Sequence, residues 1–243
     1  MFQTICSIFL NNWYLFLAIA VIAYLIGSIN PAVIVTRVVT KGKGDIRQMG
    51  SGTAGFTNVL RSVGKMPAII TIVSDALKCV AAVLIGFFLF KAFGSIPDNG
   101  EWFERCYLIC VRYFAGVFCI IGHCFPLYFH FKGGKGIVTT GALMLSTDWR
   151  VFLMAISVFL IIFIIGRIIS LASIISALLY APITFLCTFV FDHLLTQPCM
   201  WYVLVTTVCS LLIGVFAVIM HRENIKRLLR GEEKKIHAAK KST

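Results

Sequence analysis

The chain has 243 residues, a formal net charge of +12 and a hydrophobic share of 59%, while only 13% of residues are charged. Soluble domains usually carry about 25% charged residues, so this balance excludes a soluble globular domain. Apolar runs of about 20 residues recur along the chain, each long enough to cross a ~30 Å hydrocarbon core as a helix, and the alternating pattern of a membrane barrel is absent. The expected fold is an all-α integral membrane protein.

The N-terminus has no basic leader, and the apolar stretch at 13–29 is too long for a signal-peptide core, so it reads as a retained first span. Seven spans are expected in chain order, near 13–36, 66–90, 106–125, 136–147, 151–166, 168–191 and 200–220. The fourth is short and contains Thr139, Thr140 and Gly141. Whether it crosses the bilayer fully is open at this point.

Charge then sets the orientation. Arg37, Lys41, Lys43, Arg47, Arg61 and Lys65 fall in the first connecting segment, Lys132 and Lys135 in the third, and Arg167 between spans five and six. The tail adds Arg222, Lys226, Arg227, Arg230, Lys234, Lys235, Lys240 and Lys241. With seven spans these cations share one side, which the positive-inside rule makes cytoplasmic. The opposite segments hold Lys91, Arg105 and Arg150 beside Asp98, Glu101, Glu104, Asp148 and Asp192. The N-terminus is therefore expected outside and the C-terminus in the cytoplasm. The basic charge is a topology and lipid signal, and no nucleic-acid partner is expected. The whole chain, 1–243, reads as one polytopic domain, with a polar tail from Lys234 expected to fray or lie on lipid.

Four cytoplasmic segments carry the polar chemistry, at about 44–65, 130–136, 167–173 and 221–235. The first reads GDIRQMGSGTAGFTNVLRSVGK. Gly50, Gly52 and Gly55 flank Ser51 and Thr53, and closely spaced glycines let backbone N–H groups turn toward one anion. Thr57 and Arg61 follow at i and i+4 and share a helix face, with Asn58 beside them. A flexible loop with topology-setting charges is the competing reading.

The second segment, HCFPLYFHFKGGKG, surrounds Lys135 with Gly133, Gly134 and Gly136. It lacks the glycine before and the hydroxyl residue after that a nucleotide P-loop needs, which leaves a single-phosphate site or a plain re-entrant turn. The third, HRENIKRLLRGEEKK, places His221 and Asn224 on one face of a basic helix that could equally lie on the lipid surface. Ser170 and Ser173 stand at a helix start, where serine usually caps. Asp75 and Lys78 lie inside the second span at i, i+3 and are expected to pair, with shaping of the site as a second role. Arg112, in the third span, either finds a partner there or snorkels.

The nine cysteines lie mostly in apolar runs without a CxxC pair, so they read as buried hydrophobes. No metal and no cofactor is expected. No histidine is followed five positions on by aspartate, which excludes the His-x4-Asp acyltransferase pair.

Taken together, GSGTAGFTNVLR, FKGGKG, SLASI and HRENIKRLLRGEEK resemble, in order, the motifs of the PlsY family of bacterial membrane glycerol-3-phosphate acyltransferases. The resemblance runs from about Gly27 to Lys235. It implies a seven-helix fold in the bacterial cell (inner) membrane with a cytoplasmic active site. The implied reaction transfers a fatty acyl group from acyl phosphate to the sn-1 hydroxyl of glycerol 3-phosphate, giving lysophosphatidic acid and phosphate. The implied partners are those two substrates, membrane lipid and the soluble enzyme that makes acyl phosphate.

By motif match, Ser51, Arg61, Lys135, His221 and Asn224 are the catalytic positions. Gly52, Thr53, Thr57, Asn58, Gly133, Gly134, Gly136 and Ser173 hold substrate phosphate. The family usually has Asn where this chain has Thr53. Direct acyl transfer without an acyl-enzyme is expected, with the donor phosphate or His221 taking the proton. A transporter for small phosphate esters is the alternative reading, and a lipid-binding scaffold a third.

Overall fold

A computed structural model describes residues 2–96, 100–195 and 200–235, with side chains from residue 7 onward. Asp98, Lys240, Lys241 and the end of the predicted tail lie outside the described residues. The described chain is helical: α1 (Phe2–Asn11), α2 (Trp13–Ser28), α3 (Pro31–Val39), α4 (Phe56–Ser62), α5 (Lys65–Phe93), α6 (Glu101–Cys124), α7 (Ile137–Thr147), α8 (Trp149–Gly166), α9 (Ile169–Leu186), α10 (Met200–Met220) and α11 (Arg222–Leu229). Past Leu186, α9 widens into a π-helical stretch, Cys187–Leu194.

Among the described residues, six helical stretches are long and apolar enough to cross a membrane: Trp13–Val39, Lys65–Phe93, Glu101–Phe129, Trp149–Gly166, Ile169–Leu194 and Met200–Met220. The expected span at 136–147 is α7, whose 11 residues reach only about 16 Å at 1.5 Å per residue, roughly half a hydrocarbon core.

The first span is not continuous. Pro31 cannot extend α2, so the chain breaks at Ile29 and Asn30 and restarts as α3 with Pro31 in the first turn. The Asn30 side chain accepts from Val33 N at 3.2 Å and caps the new helix. The break frees the carbonyl of Ile29, which accepts from Lys78 Nζ at 2.6 Å.

Helix α7 ends at Thr147, half-buried against α6, where its last carbonyls need a donor. Arg112 supplies it: Nη1 donates to Ser146 O at 3.1 Å, and the guanidinium lies 4.4 Å from the centre of the Phe87 ring. A cation at a helix C-terminus also answers the dipole. Arg112 therefore has a partner inside the protein and does not snorkel. Asp148 then caps α8, accepting from Arg150 N at 2.9 Å, and the Arg150 side chain pairs with both Asp148 and Asp192.

Helix α2 lies along α6, and the approach is close because Gly27 faces the Cys119 carbonyl while Gly122 faces the Tyr24 carbonyl. Small residues at such crossings let helix backbones meet without large side chains between them. Phe16 packs its ring against Phe90 and Phe114, and Phe90 meets Tyr107, filling the bundle centre. Helix α8 turns outward: Ile161 and Ile164 are exposed, and Ile165 is 81% exposed, a surface suited to lipid.

The start of α2 and the end of α5 meet at one pole, where Asn12 and Ser95 exchange hydrogen bonds of 2.9 and 2.8 Å. The helix pairs α5–α6, α7–α8 and α9–α10 each return the chain to the opposite pole. That pole gathers all four polar segments.

Candidate active site

The glycine-rich first loop is built around Asn58. This side chain is buried, and its amide N–H groups are shared among Ile46 O, Met49 O and Thr53 O at 2.9–3.0 Å. Its Oδ1 accepts from Ser51 N at 3.0 Å. The donors of Asn58, a residue the resemblance assigns to phosphate, are bonded to the loop backbone, and the residue also reaches the cavity wall. Ser51 Oγ and Thr53 Oγ1 stand 2.8 Å apart at the loop surface. The base of the loop is locked by Asp45, whose carboxylate receives Arg47 Nε and Nη2. That contact holds the Asp45 pKa at about 2. Arg47 Nη1 continues to Phe129 O at 2.7 Å and ties the first loop to the second.

The second loop crosses the first. Ala54 N donates to Gly133 O at 3.3 Å, and Gly134 N donates to His123 O at 3.1 Å. Gly134 leaves no room for a side chain, because a Cβ there would run into the ring of His123 and close on the Ala54 carbonyl. Lys135 follows and leads into the N-terminus of α7, whose first amides lack helical partners and suit an anion.

The third segment closes the site. Lys135 Nζ donates to Asn224 Oδ1 at 2.6 Å, and Asn224 Nδ2 donates to Glu233 Oε1 at 3.0 Å. Ser170 Oγ donates to the same oxygen at 2.9 Å, and Arg227 Nε pairs with Glu233 Oε2 at 2.7 Å. Arg61 Nη2 donates to Lys234 O at 3.0 Å. The segment from Lys234, expected to fray or to lie on lipid, thus starts as a strap held against the site. His221 is buried, and its Nδ1 lies 2.7 Å from Ala217 O. A carbonyl only accepts, so Nδ1 carries the proton and Nε2 keeps a lone pair.

These segments enclose one cavity of about 400 Å³. Ser51, Thr53, Thr57, Asn58 and Arg61 line it from the first loop, and Gly134, Lys135 and Gly136 from the second. Ser173, His221 and Asn224 complete the predicted set. Gly52 and Gly133 are not on its wall. Sequence reasoning missed Ser170, Arg227, Glu233 and His123 as wall residues, and Asp75, expected to shape the site, stands on the wall too. The GEEK run was visible, but nothing in its spacing says which glutamate turns inward. One flank of the cavity is apolar: Ile72, Ile137, Val138, Phe159, Leu160 and Phe163.

Burial and the nearby cations make the site electrostatically unusual. Lys135 has its pKa lowered to about 8, first by burial and then by repulsion from Arg227, with Glu233 acting the other way. His221 is pushed down to about 4 by burial, so it is neutral at pH 7. Burial works against ionisation of Glu233, but the hydrogen bonds from Arg227, Asn224 and Ser170 outweigh it and hold its pKa below the ordinary value. Among the described residues, no group of three or more His, Cys, Asp or Glu side chains could hold a metal ion.

Fold and site together define a polytopic helical membrane protein with one cationic, glycine-walled pocket bordered by an apolar flank. The family model for glycerol-3-phosphate acyltransferase matches residues 17–231. A glycerol-3-phosphate acyltransferase of Caulobacter vibrioides is 41% identical over 224 residues, covering 92% of this chain and 89% of that protein. One from Chlorobaculum tepidum is 35% identical, covering 93% and 99%. The crystal structure of PlsY, an integral membrane glycerol 3-phosphate acyltransferase, in its glycerol 3-phosphate form superposes with a TM-score of 0.69 at 32% identity, covering 91% of this chain and 96% of that one. Its lysophosphatidic acid form gives a TM-score of 0.68 at 33% identity, covering 91% and 95%. The chain belongs to the glycerol-3-phosphate acyltransferase (PlsY) family.

Proposed function

We propose that this glycerol-3-phosphate acyltransferase takes its acyl group from acyl phosphate and places it on the sn-1 hydroxyl of glycerol 3-phosphate. The supporting observation is convergence. Ser51, Arg61, Lys135, Ser173, His221 and Asn224, drawn from four separate segments, line one cavity with an apolar flank. Two phosphorylated molecules need cations and N–H donors; an acyl chain needs a neighbouring apolar wall. Lys135, Arg61, Arg227 and the amides entering α7 offer the first, and Phe159, Leu160, Phe163 and Ile72 the second.

The chemistry follows from that seating. The glycerol hydroxyl oxygen bonds to the acyl carbonyl carbon, the bond from that carbon to the phosphate oxygen breaks, and the hydroxyl proton passes to the departing phosphate. A mixed anhydride has a good leaving group, so orientation and charge stabilisation carry most of the rate. Arg61 and Lys135 balance the phosphoryl charge. Ser51 and Thr53 present hydroxyls at the mouth. Neutral His221 has Nδ1–H committed to Ala217 O, so Nε2 is the second candidate to take the proton. Asn58 serves by holding the first loop, Gly52 by letting it turn, and Gly133 by letting the second loop pass close against the His123 carbonyl.

In this reading α7, short as it is, makes the fourth of seven passes together with the segments that flank it, the N-terminus lies outside, and the motif pole faces the cytoplasm of the cell inner membrane. There it meets soluble glycerol 3-phosphate and the enzyme that supplies acyl phosphate. The test uses purified protein, labelled glycerol 3-phosphate, and either acyl phosphate or acyl-CoA. Lysophosphatidic acid should form with acyl phosphate alone; product from acyl-CoA alone would overturn the donor. Transfer of labelled glycerol 3-phosphate across liposomes without acylation would favour the transporter reading. An impermeant thiol reagent applied to intact cells should miss a cysteine placed at Lys41 and modify one placed at Trp102; the reverse pattern overturns the orientation.

A further inference from the structure

At the back wall of the cavity, which Asp75 and His123 help to line, lies a cluster of ionisable groups that the reaction as described does not use. Asp75, Lys78 and His123 are 1%, 8% and 4% exposed. Lys78 Nζ lies 2.7 Å from Asp75 Oδ1, and His123 Nδ1 lies 3.1 Å from the same oxygen and 3.0 Å from Lys78 Nζ. Lys78 also donates to Ile29 O at the break in the first span. Four parts of the chain therefore meet here: α5, α6, the α2–α3 break and, through His123, the glycine loop. Ionisable side chains within membrane helices are costly, and a buried ion pair can often be replaced by apolar groups without loss of stability. Packing alone does not account for this cluster.

The link to the site is His123. Its carbonyl accepts from Gly134 N at 3.1 Å, and its ring lies where a Cβ on Gly134 would fall. Backbone and ring together fix the residue before Lys135. We propose that Asp75, Lys78 and His123 form a positioning unit that sets the 133–136 loop from behind, so that its amides and Lys135 meet the phosphate of glycerol 3-phosphate. The proposal rests on the reading of that loop as the phosphate seat. The unit acts through Gly134. Asp75 and Lys78 fix the ring, the ring fixes the loop, and the loop fixes the anion.

The test measures glycerol 3-phosphate binding by calorimetry, together with kcat, KM and thermal unfolding, on the full chain in detergent. His123→Ala and Asp75→Asn should raise Kd for glycerol 3-phosphate at least about tenfold, with kcat/KM falling at least as far because Lys135 rides on the same loop. His123→Asn, which can put an amide near the place of Nδ1, should recover part of the affinity. Unchanged Kd in His123→Ala overturns the unit. So does a large fall in kcat at unchanged Kd, because His123 would then act in the chemistry. If Asp75→Asn does not fold, the charge-neutral pair Asp75→Asn/Lys78→Met replaces it, with the same rise expected. Failure of both to fold overturns the proposal, since the cluster would then serve the fold alone. Wild-type protein that acylates glycerol 3-phosphate yet shows the variants' weak binding overturns the phosphate seat itself, and the unit with it.

Discussion

Lys135 Nζ and Asn224 Oδ1 stand 2.6 Å apart, joining side chains 89 positions distant in the chain. The contact aims the ammonium group across the mouth of the cavity, and Glu233 holds the far side of Asn224. Lys135→Met should therefore lower kcat/KM for glycerol 3-phosphate by ~10²-fold, the scale of losing one charge-stabilising donor. Asn224→Ala should act through the same contact, so the double variant should lose less than the product of the two single losses. Strict multiplicativity in steady-state kinetics would show that the pair does not act as a unit.

The same lysine gives the enzyme an alkaline limit. Its pKa of about 8 means that the free protein loses this positive charge as pH rises through 8. Glycerol 3-phosphate is then met by a neutral amine. The profile of kcat/KM, which reports the free enzyme, should fall above pH 8 by about tenfold per unit. His221, neutral down to about pH 4, adds no acid limb between pH 5 and 8. Lys135→Arg, which stays charged throughout, should flatten the alkaline limb even where its absolute rate is lower. A wild-type profile level to pH 10 would refute this assignment.

The membrane class, the main helices and the one-sidedness of the polar segments were legible because they follow from local hydropathy and charge. The pairing of Asp75 with Lys78 was legible too, because two ionisable groups at i, i+3 inside a span have few other options. Hydropathy marked the 136–147 run as short and left its depth open. The donor at its end was not legible, because Arg112 lies 34 positions from Ser146 with no spacing to connect them. Side-chain accounting was not legible either. Asn58 sits in a motif that reads as phosphate binding, yet its amide is used up within the loop. The role of Glu233 depends on a return of the tail over the site, set by contacts from Ser170 and Arg227 that have no sequence spacing to reveal them.

Arg112 offers a separate test of how α7 ends. Its hydrogen bond to Ser146 O answers a half-buried helix terminus, and Phe87 backs the guanidinium. Arg112→Leu keeps bulk but leaves the carbonyl without its donor. The expected loss is about 1–3 kcal/mol, the range for removing a partner from a buried polar group. Thermal unfolding in detergent should show a lower midpoint, while KM for glycerol 3-phosphate stays near wild type because Arg112 is absent from the cavity wall. An unchanged midpoint would mean that another donor or a water takes over at Ser146.

Glu233 should control the alkaline limb through its charge on Lys135. Its carboxylate raises the pKa of Lys135, opposing burial and the repulsion from Arg227 and Arg61. Glu233→Gln keeps the size and the amide can still bond Ser170 and Asn224, but the compensating negative charge is gone. Lys135 then loses its proton more easily, and the fall in kcat/KM should begin below pH 8. Arg227, freed from its partner, adds to the same shift. Combining Glu233→Gln with Arg227→Gln removes one charge of each sign and should return the limb toward its original position. If Glu233→Gln loses activity equally at every pH, the carboxylate matters for holding the strap, and its influence on Lys135 is too weak to govern the profile.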